Sequence, residues 1–303
     1  MLLWVAVGVL GFGVLCVLYG VLVEHHWFRL TRYRLPILPG GAAAPLTMLH
    51  LSDLHFTSRD RRKARFLAGL PQADVTVVTG DILGEAEAVE PVVEALRGVR
   101  GRVGSFFVLG SNDYFQPRPQ NYLRYFFQGR SRRRKVVHSR SADLEKALVS
   151  DGWVHLKNVR RDVMLDGTSV ELVGMDDPHI HRSDLRVAPR VSPERFGLAV
   201  VHSPDPAPEL AALGYDLIVA GHTHGGQVRL PLVGALVTNS HMPRALAMGL
   251  VRIGDAYMHV SPGMGTSKYA PFRFLCRPEA TVLELRPKVS APQPMSARSK
   301  ARS

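Results

Sequence analysis

Asp53 and His55, written D-L-H, come straight after the apolar run LTMLHLS. Asp81 closes DVTVVTGD, Asn112 and Asp113 follow SFFVLGS, His202 ends GLAVVH, and His222 and His224 follow DLIVAG as G-H-T-H. Carboxylate, amide and imidazole donors without a thiolate suit Mn, Fe or Zn better than Ca or a Cys-rich structural zinc site. One carboxylate can bridge two cations, and about seven ligands suffice for a pair roughly 3.5–4 Å apart. Such a pair activates a bridging hydroxide and neutralises charge on a phosphoryl group during in-line displacement. Each fragment alone is weak. A D-x-H or a Gly-Asp is most often a turn, and residues two apart share a face only in extended chain. The conjunction carries the weight, because strand carboxyl ends form the ligand crevice of open α/β sheets.

The elements that must position these residues follow from the apolar runs. β-Branched stretches at 46–53, 74–81 and 105–110 alternate with helical patterns at 61–70 and 85–96. Later strands are expected at 169–174, 197–202, 216–221, 256–260 and 280–285. Helices between the early strands indicate a partly parallel, layered α/β architecture, and their scarcity later on indicates a second, mixed sheet. The stretch LPILPGGAAAP, 35–45, reads as a linker.

Taken in order, D-x-H, G-D, a third motif near G-N-[HD], a lone H and G-H-x-H resemble the calcineurin-like metallophosphoesterase signature, over about residues 46–286. The string Gly221-His222-Thr223-His224-Gly225-Gly226-Gln227, with the late SPGMGTS and CRPEATVLEL, is similar to a bacterial branch that often carries an N-terminal membrane segment. The resemblance implies a four-layer α/β/β/α sandwich of two mixed sheets. It also implies a hydrolase of phosphate ester or phosphoanhydride bonds that uses two divalent ions (Mn, Fe or Zn). Asp53, His55 and His224 would hold the first ion, Asp81 would bridge, and His202, His222 and the third motif's asparagine would hold the second. At that motif the chain departs, since the family usually has Gly-Asn-His-[Asp/Glu] where this sequence has Gly110-Ser111-Asn112-Asp113. Without a gap, Ser111 takes the ligand position and Asn112 the catalytic histidine's. Shifted by one, Asn112 keeps the metal and Asp113 stands where the histidine works. The shift is preferred because an amide oxygen is a better ligand than a neutral hydroxyl. A carboxylate beside two cations stays ionised, so a catalytic Asp113 would supply no proton to the leaving group.

The net charge of +12 and pI near 10.1 point to an anionic partner, a membrane surface or nucleic acid. No nucleic-acid motif accompanies the charge, which disfavours the second. Two cysteines, Cys16 and Cys276, exclude a disulfide framework. Residues 2–23 carry no charge and, at about 1.5 Å per residue, are long enough for a hydrocarbon core of roughly 30 Å. Neither a positive n-region nor an A-x-A-like site marks a signal peptide. The chain therefore divides into a transmembrane helix (1–24), a basic juxtamembrane segment and linker (25–45), a catalytic domain (46–286) and a disordered basic tail (287–303). Trp27 and Tyr33 suit an interfacial belt, and Arg29, Arg32 and Arg34 place the domain in the cytoplasm by the positive-inside rule.

His50 reads as packing, and Asp176-Asp177-Pro178-His179 as a site rim or a turn. Gly225 and Gly226 are expected to let the backbone pass close to the metals. The aromatics from Tyr114 to Phe127, with nearby arginines, suit either core or an amphipathic lid. The leading function is hydrolysis of a phosphate ester, phosphodiester or diphosphate, with a lipid-linked substrate suggested by the anchor. The alternatives are a nuclease or cyclic-nucleotide phosphodiesterase, and a metal-binding pseudoenzyme acting as an interaction protein.

Overall fold

The computed structural model describes residues 1–39, 44–117 and 137–288. The arginine and aromatic run at 118–127, most of the basic segment 129–141 and the tail from 289 lie outside the described residues.

One six-stranded sheet has the order β1 (Arg29–Leu38), β14 (Glu279–Pro287), β2 (Leu46–Leu51), β3 (Val75–Thr79), β4 (Gly104–Val108), β5 (Val154–His155). The other runs β12 (Gly249–Ile253), β13 (Ala256–Val260), β9 (Leu217–Ala220), β8 (Phe196–Val200), β7 (Thr168–Gly174), β6 (Val159–Leu165). A small hairpin joins β10 (Arg229–Leu230) to β11 (Gly234–Ala235). Both sheets are mixed. β2, β3 and β4 run parallel, as do β7, β8, β9 and β13, while β14 and β12 pair antiparallel to their neighbours β2 and β13.

A period of two divides each strand between two interiors. Leu46 and Met48 of β2 share a core with Val77, Phe106, Leu198 and Val219, so the sheets pack face to face. Leu49 and Leu51 point the other way, with Val78 and Phe107, onto α2 (Arg61–Ala68), α3 (Val89–Arg97), the one-turn α4 (Ser111–Tyr114) and α5 (Ser141–Ser150). In α3 the buried residues Val89, Val92, Val93 and Leu96 keep the i, i+3, i+4, i+7 spacing of a helix face. Beyond the second sheet, Ala199, Ile218 and Met258 pack on Ala207 and Leu210 of α6 (Ala207–Ala212). The layers are therefore helix, sheet, sheet, helix, as expected.

The juxtamembrane reading needs correction. Residues 29–38 are not linker but the edge strand β1, paired in parallel with β14 from Arg29↔Glu279 onward. The pairing shifts register between Pro36 and Leu38, and an edge is where a strand tolerates proline. Tyr33 belongs to this strand, its ring 5.6 Å from that of His259, so it packs within the domain rather than in an interfacial belt.

Before β1, α1 (Leu2–Leu22) runs on through a 3₁₀ turn to His26 and is long and apolar enough to cross a membrane, with 6% of its most apolar window buried. Its end is seated in the domain. Gly20 lies against Phe272 and Arg273, and the Glu24 carboxylate, 1% exposed, accepts the N–H groups of Leu275 (2.8 Å) and Cys276 (2.5 Å). The Arg277 guanidinium covers Trp27 at 4.0 Å.

Candidate metal centre

The loops leaving β2, β3, β8 and β9 carry most of the expected ligands, and they leave on unusual backbone. Asp53 (φ 46°), His55 (39°), Asp81 (49°), His222 (68°) and His224 (51°) make up five of the twelve described non-glycine residues with positive φ. Each such residue costs on the order of 1 kcal/mol or more, a cost that concentrates where a fold holds side chains for chemistry. Glycines make the room: a Cβ on Gly80 (φ 84°) would strike Gly110 and the His202 ring, and one on Gly221 would strike Ser52 and Asp53.

Asp53, His55, Asp81 and His224 bring four donor atoms within 4.8 Å of one another. His55 Nε2 and His224 Nε2 face each other at 3.2 Å, 3.5 Å from Asp81 Oδ2 and Asp53 Oδ1 respectively. Asp53 Oδ2 is occupied, accepting the Ser52 hydroxyl (2.6 Å) and the His222 N–H (2.9 Å), whereas buried Oδ1 has no hydrogen-bond partner among the described residues. Burial lowers His55 to about 4, and burial with the neighbouring His55 lowers His224 well below its usual value, so both imidazoles are neutral. Burial, with Asp81 beside it, raises the Asp53 carboxyl to about 7.

A second group lies on the other oxygen of Asp81. His202 Nε2 is 3.5 Å from Asp81 Oδ1 and 3.2 Å from His222 Nδ1. The far nitrogen of each ring meets a carbonyl: His202 Nδ1 meets Thr79 O at 2.7 Å, and His222 Nε2 meets Asn239 O at 3.1 Å. A carbonyl can only accept, so it fixes the N–H on the far side of each ring and turns a lone pair inward. In their neutral forms the two imidazoles thus turn lone pairs toward one carboxylate oxygen, and without a metal the positive charge held there is a second proton on His202. Burial opposes a charged His202, yet Asp81, Asp177 and Asp53 outweigh it and lift the group to about 9. The site draws in a positive charge, and neutral imidazoles with an ionised carboxylate are the donor set of a divalent ion.

At the third motif the structure corrects one expectation and reshapes another. The Asp113 carboxylate is fully buried and faces backbone: Oδ1 accepts the Leu83 N–H (2.8 Å) and Oδ2 the Gly110 N–H (2.9 Å). It therefore ties the loop together, both oxygens taken up by backbone N–H groups, which corrects its expected place as a stand-in for the catalytic histidine. In spacing from Gly110, Asp113 matches the family's final Asp/Glu, which is the ungapped alignment. In space, however, Asn112 is the residue beside the donor set: its N–H reaches Asp81 Oδ1 (2.8 Å) and its amide reaches Asp81 Oδ2 (2.5 Å). Ser111 makes no side-chain hydrogen bond to a described residue.

Gly225 (φ 62°) and Gly226 (φ 81°), next after His224, pass so close to Cys276 and Ala235 that a side chain would not fit. His50 is core, as expected, its Nδ1 2.7 Å from His259 Nδ1 between the sheets. The Asp176–His179 segment is both turn and rim. Asp177 caps the turn through the His179 N–H (2.8 Å), and the His179 ring lies 4.4 Å from that of His222. Two buried cations went unread in the sequence. Lys63 donates to Leu54 O (2.5 Å) and Asp60 (2.8 Å), and Arg273 Nη2 donates to the carbonyls of Pro262, Gly263 and Gly265, the loop against Asp53. Long surface-type side chains carry no sequence mark of such burial.

The family model for calcineurin-like phosphoesterases matches residues 46–226. An uncharacterized metallophosphoesterase of Bacillus subtilis, YkuE, is 25% identical over 88% of this chain and 89% of its own. A phosphodiesterase of Escherichia coli, YaeI, is 27% identical over 86% and 90%. A bovine transmembrane protein with a metallophosphoesterase domain is 27% identical over 79% of this chain and 53% of its own. With the family model covering well over half of its length, and a buried Asp/His cluster fit for divalent metal where that model lies, the chain belongs to the calcineurin-like phosphoesterase family.

Proposed function

We propose that this protein hydrolyses a phosphodiester or diphosphate with two divalent ions held on either side of Asp81. The carrying observation is the double facing of that carboxylate, with the His55–His224 pair at Oδ2 and the His202–His222 pair at Oδ1. Asp53, His55 and His224 would complete the first position, and His202, His222 and Asn112 the second. The Asn112 amide donates to Asp81 Oδ2, so it would serve the second ion by turning its own oxygen away from that carboxylate and toward the His202–His222 pair. Two such ions supply Lewis acidity to phosphoryl oxygens and lower the pKa of a water. The phosphodiesterase name of the E. coli relative favours a diester over a monoester. The test is metal analysis of purified protein with turnover of bis(p-nitrophenyl) phosphate after Mn²⁺ loading. At most one metal equivalent would sink the two-ion reading, and no turnover with any metal would favour the pseudoenzyme.

With Asp113 locked to backbone, the third motif offers no proton to the departing oxygen. Rates across esters of rising leaving-group pKa are therefore expected to fall steeply, and diphosphates and aryl esters to be preferred over alkyl monoesters. A flat series would reveal a general acid. His179, at the rim beside His222, would then be its source, and His179→Ala should restore the steep dependence.

We also propose that α1 is retained as a single membrane span, with the domain on the cytoplasmic side. Mass spectrometry of the mature chain should find the N-terminal residues present. A start near residue 30 would refute retention, and cleavage by protease added outside intact cells would overturn the orientation alone.

A further inference from the structure

A cavity of about 490 Å³ opens where α1 meets the domain. Leu22 at the helix end, Phe28 and Met264 give it an apolar side, and Arg59, Arg61 and Arg62 at the start of α2 line it with guanidinium groups. The three arginines are exposed, and none has a carboxylate within ion-pair distance among the described residues. Among the described residues the one acid lining the cavity, Asp60, is already engaged by Lys63 Nζ at 2.8 Å and the Thr57 N–H at 2.9 Å. The lining therefore holds three positive charges in want of an anion. Leu15, Leu18 and Leu22 continue the apolar side upward along α1, at 64%, 47% and 63% exposure.

We propose that this cavity binds the phosphate headgroup of an anionic membrane lipid, whose acyl chains lie along the uncovered face of α1. Guanidinium forks match phosphate oxygens in bidentate fashion, and a basic cluster beside a membrane span meets the anionic surface at headgroup level. A soluble phosphate would satisfy the same arginines but leave Leu22 and Phe28 with nothing to cover. The cavity is separate from the metal centre: the backbone of Leu54 and His55 lies between, and Lys63, which lines the cavity, holds Leu54 O at 2.5 Å. The inference rests on α1 lying in a membrane and not on the hydrolytic reading.

The test uses the full chain in nanodiscs of equal phosphatidylglycerol and phosphatidylcholine, with native mass spectrometry of the lipid retained on release. One phosphatidylglycerol should be kept over phosphatidylcholine by on the order of tenfold, the weight of about one charge-assisted hydrogen bond. Arg59→Gln/Arg62→Gln should abolish that preference, while Arg161→Gln/Arg252→Gln, which removes equal charge from the second sheet, should keep it. Both pocket arginines are exposed and make no ion pair among the described residues, so their loss should leave folding intact, checked by an unchanged melting temperature. Equal retention of the two lipids, or a preference that survives in Arg59→Gln/Arg62→Gln, overturns the proposal. Displacement by millimolar inorganic phosphate overturns it in favour of a soluble anion. Release of the chain from membranes by alkaline carbonate overturns it through its premise, leaving the metal reading untouched.

Discussion

Asp81→Asn is expected to cut bound metal from two equivalents to below one and to lower diester turnover by roughly 10³-fold, about 4 kcal/mol of lost charge stabilisation. Both halves of the donor set meet on this one side chain, each oxygen 3.5 Å from an imidazole nitrogen. Asparagine keeps one oxygen, loses the charge, and places an N–H₂ where the other donor set needs an acceptor. The fold should not suffer. Asp81 sits at φ 49°, a conformation asparagine adopts readily, and its carbonyl still receives the His55 N–H (2.9 Å). Inductively coupled plasma analysis with thermal unfolding separates the effects: full metal content in the variant would show that Asp81 is not shared.

Asp113→Ala should do the opposite, acting on stability before chemistry. Removing the carboxylate leaves the Leu83 and Gly110 N–H groups buried without acceptors, a loss of about 3 kcal/mol in all. For a chain of this size that corresponds to a fall in Tm of roughly 6–12 °C. Asn112→Ala should leave Tm within about 2 °C, since its amide is not fully buried, but should release the second metal. If Asn112→Ala keeps both metals and Ser111→Ala loses one, the ungapped alignment describes the ligands as well as the spacing.

The sequence carried the site further than the scaffold's edges. Every strand read from an apolar run has its counterpart, because those runs are buried on both faces and their composition shows it. The Asp/His fragments could be read because strand-end loops spend polar residues only where they are used. β1 escaped notice because it is an edge strand: three of its ten residues are exposed and four more half-buried, Pro36 interrupts it, and its partner β14 lies some 250 residues on, a separation no local pattern reports. Asp113 was misread for a related reason. An acid one residue from a ligand looks like chemistry, and only the two N–H groups that face it reveal a brace.

The seating of Glu24 and the pairing of β1 also set how far the domain can wander. A flexible tether of the eleven residues from Leu35 to Pro45 would let it roam about 18 Å from the helix end. Here the chain passes from α1 into a clamped carboxylate and then straight into sheet, with no slack between. With α1 in a membrane, as proposed above, a mount of this kind would give the cleft one altitude and one bearing over the lipid surface. Substrates that dwell in the bilayer at that height would then meet it at a fixed angle, while those that linger deeper or farther out must travel to it.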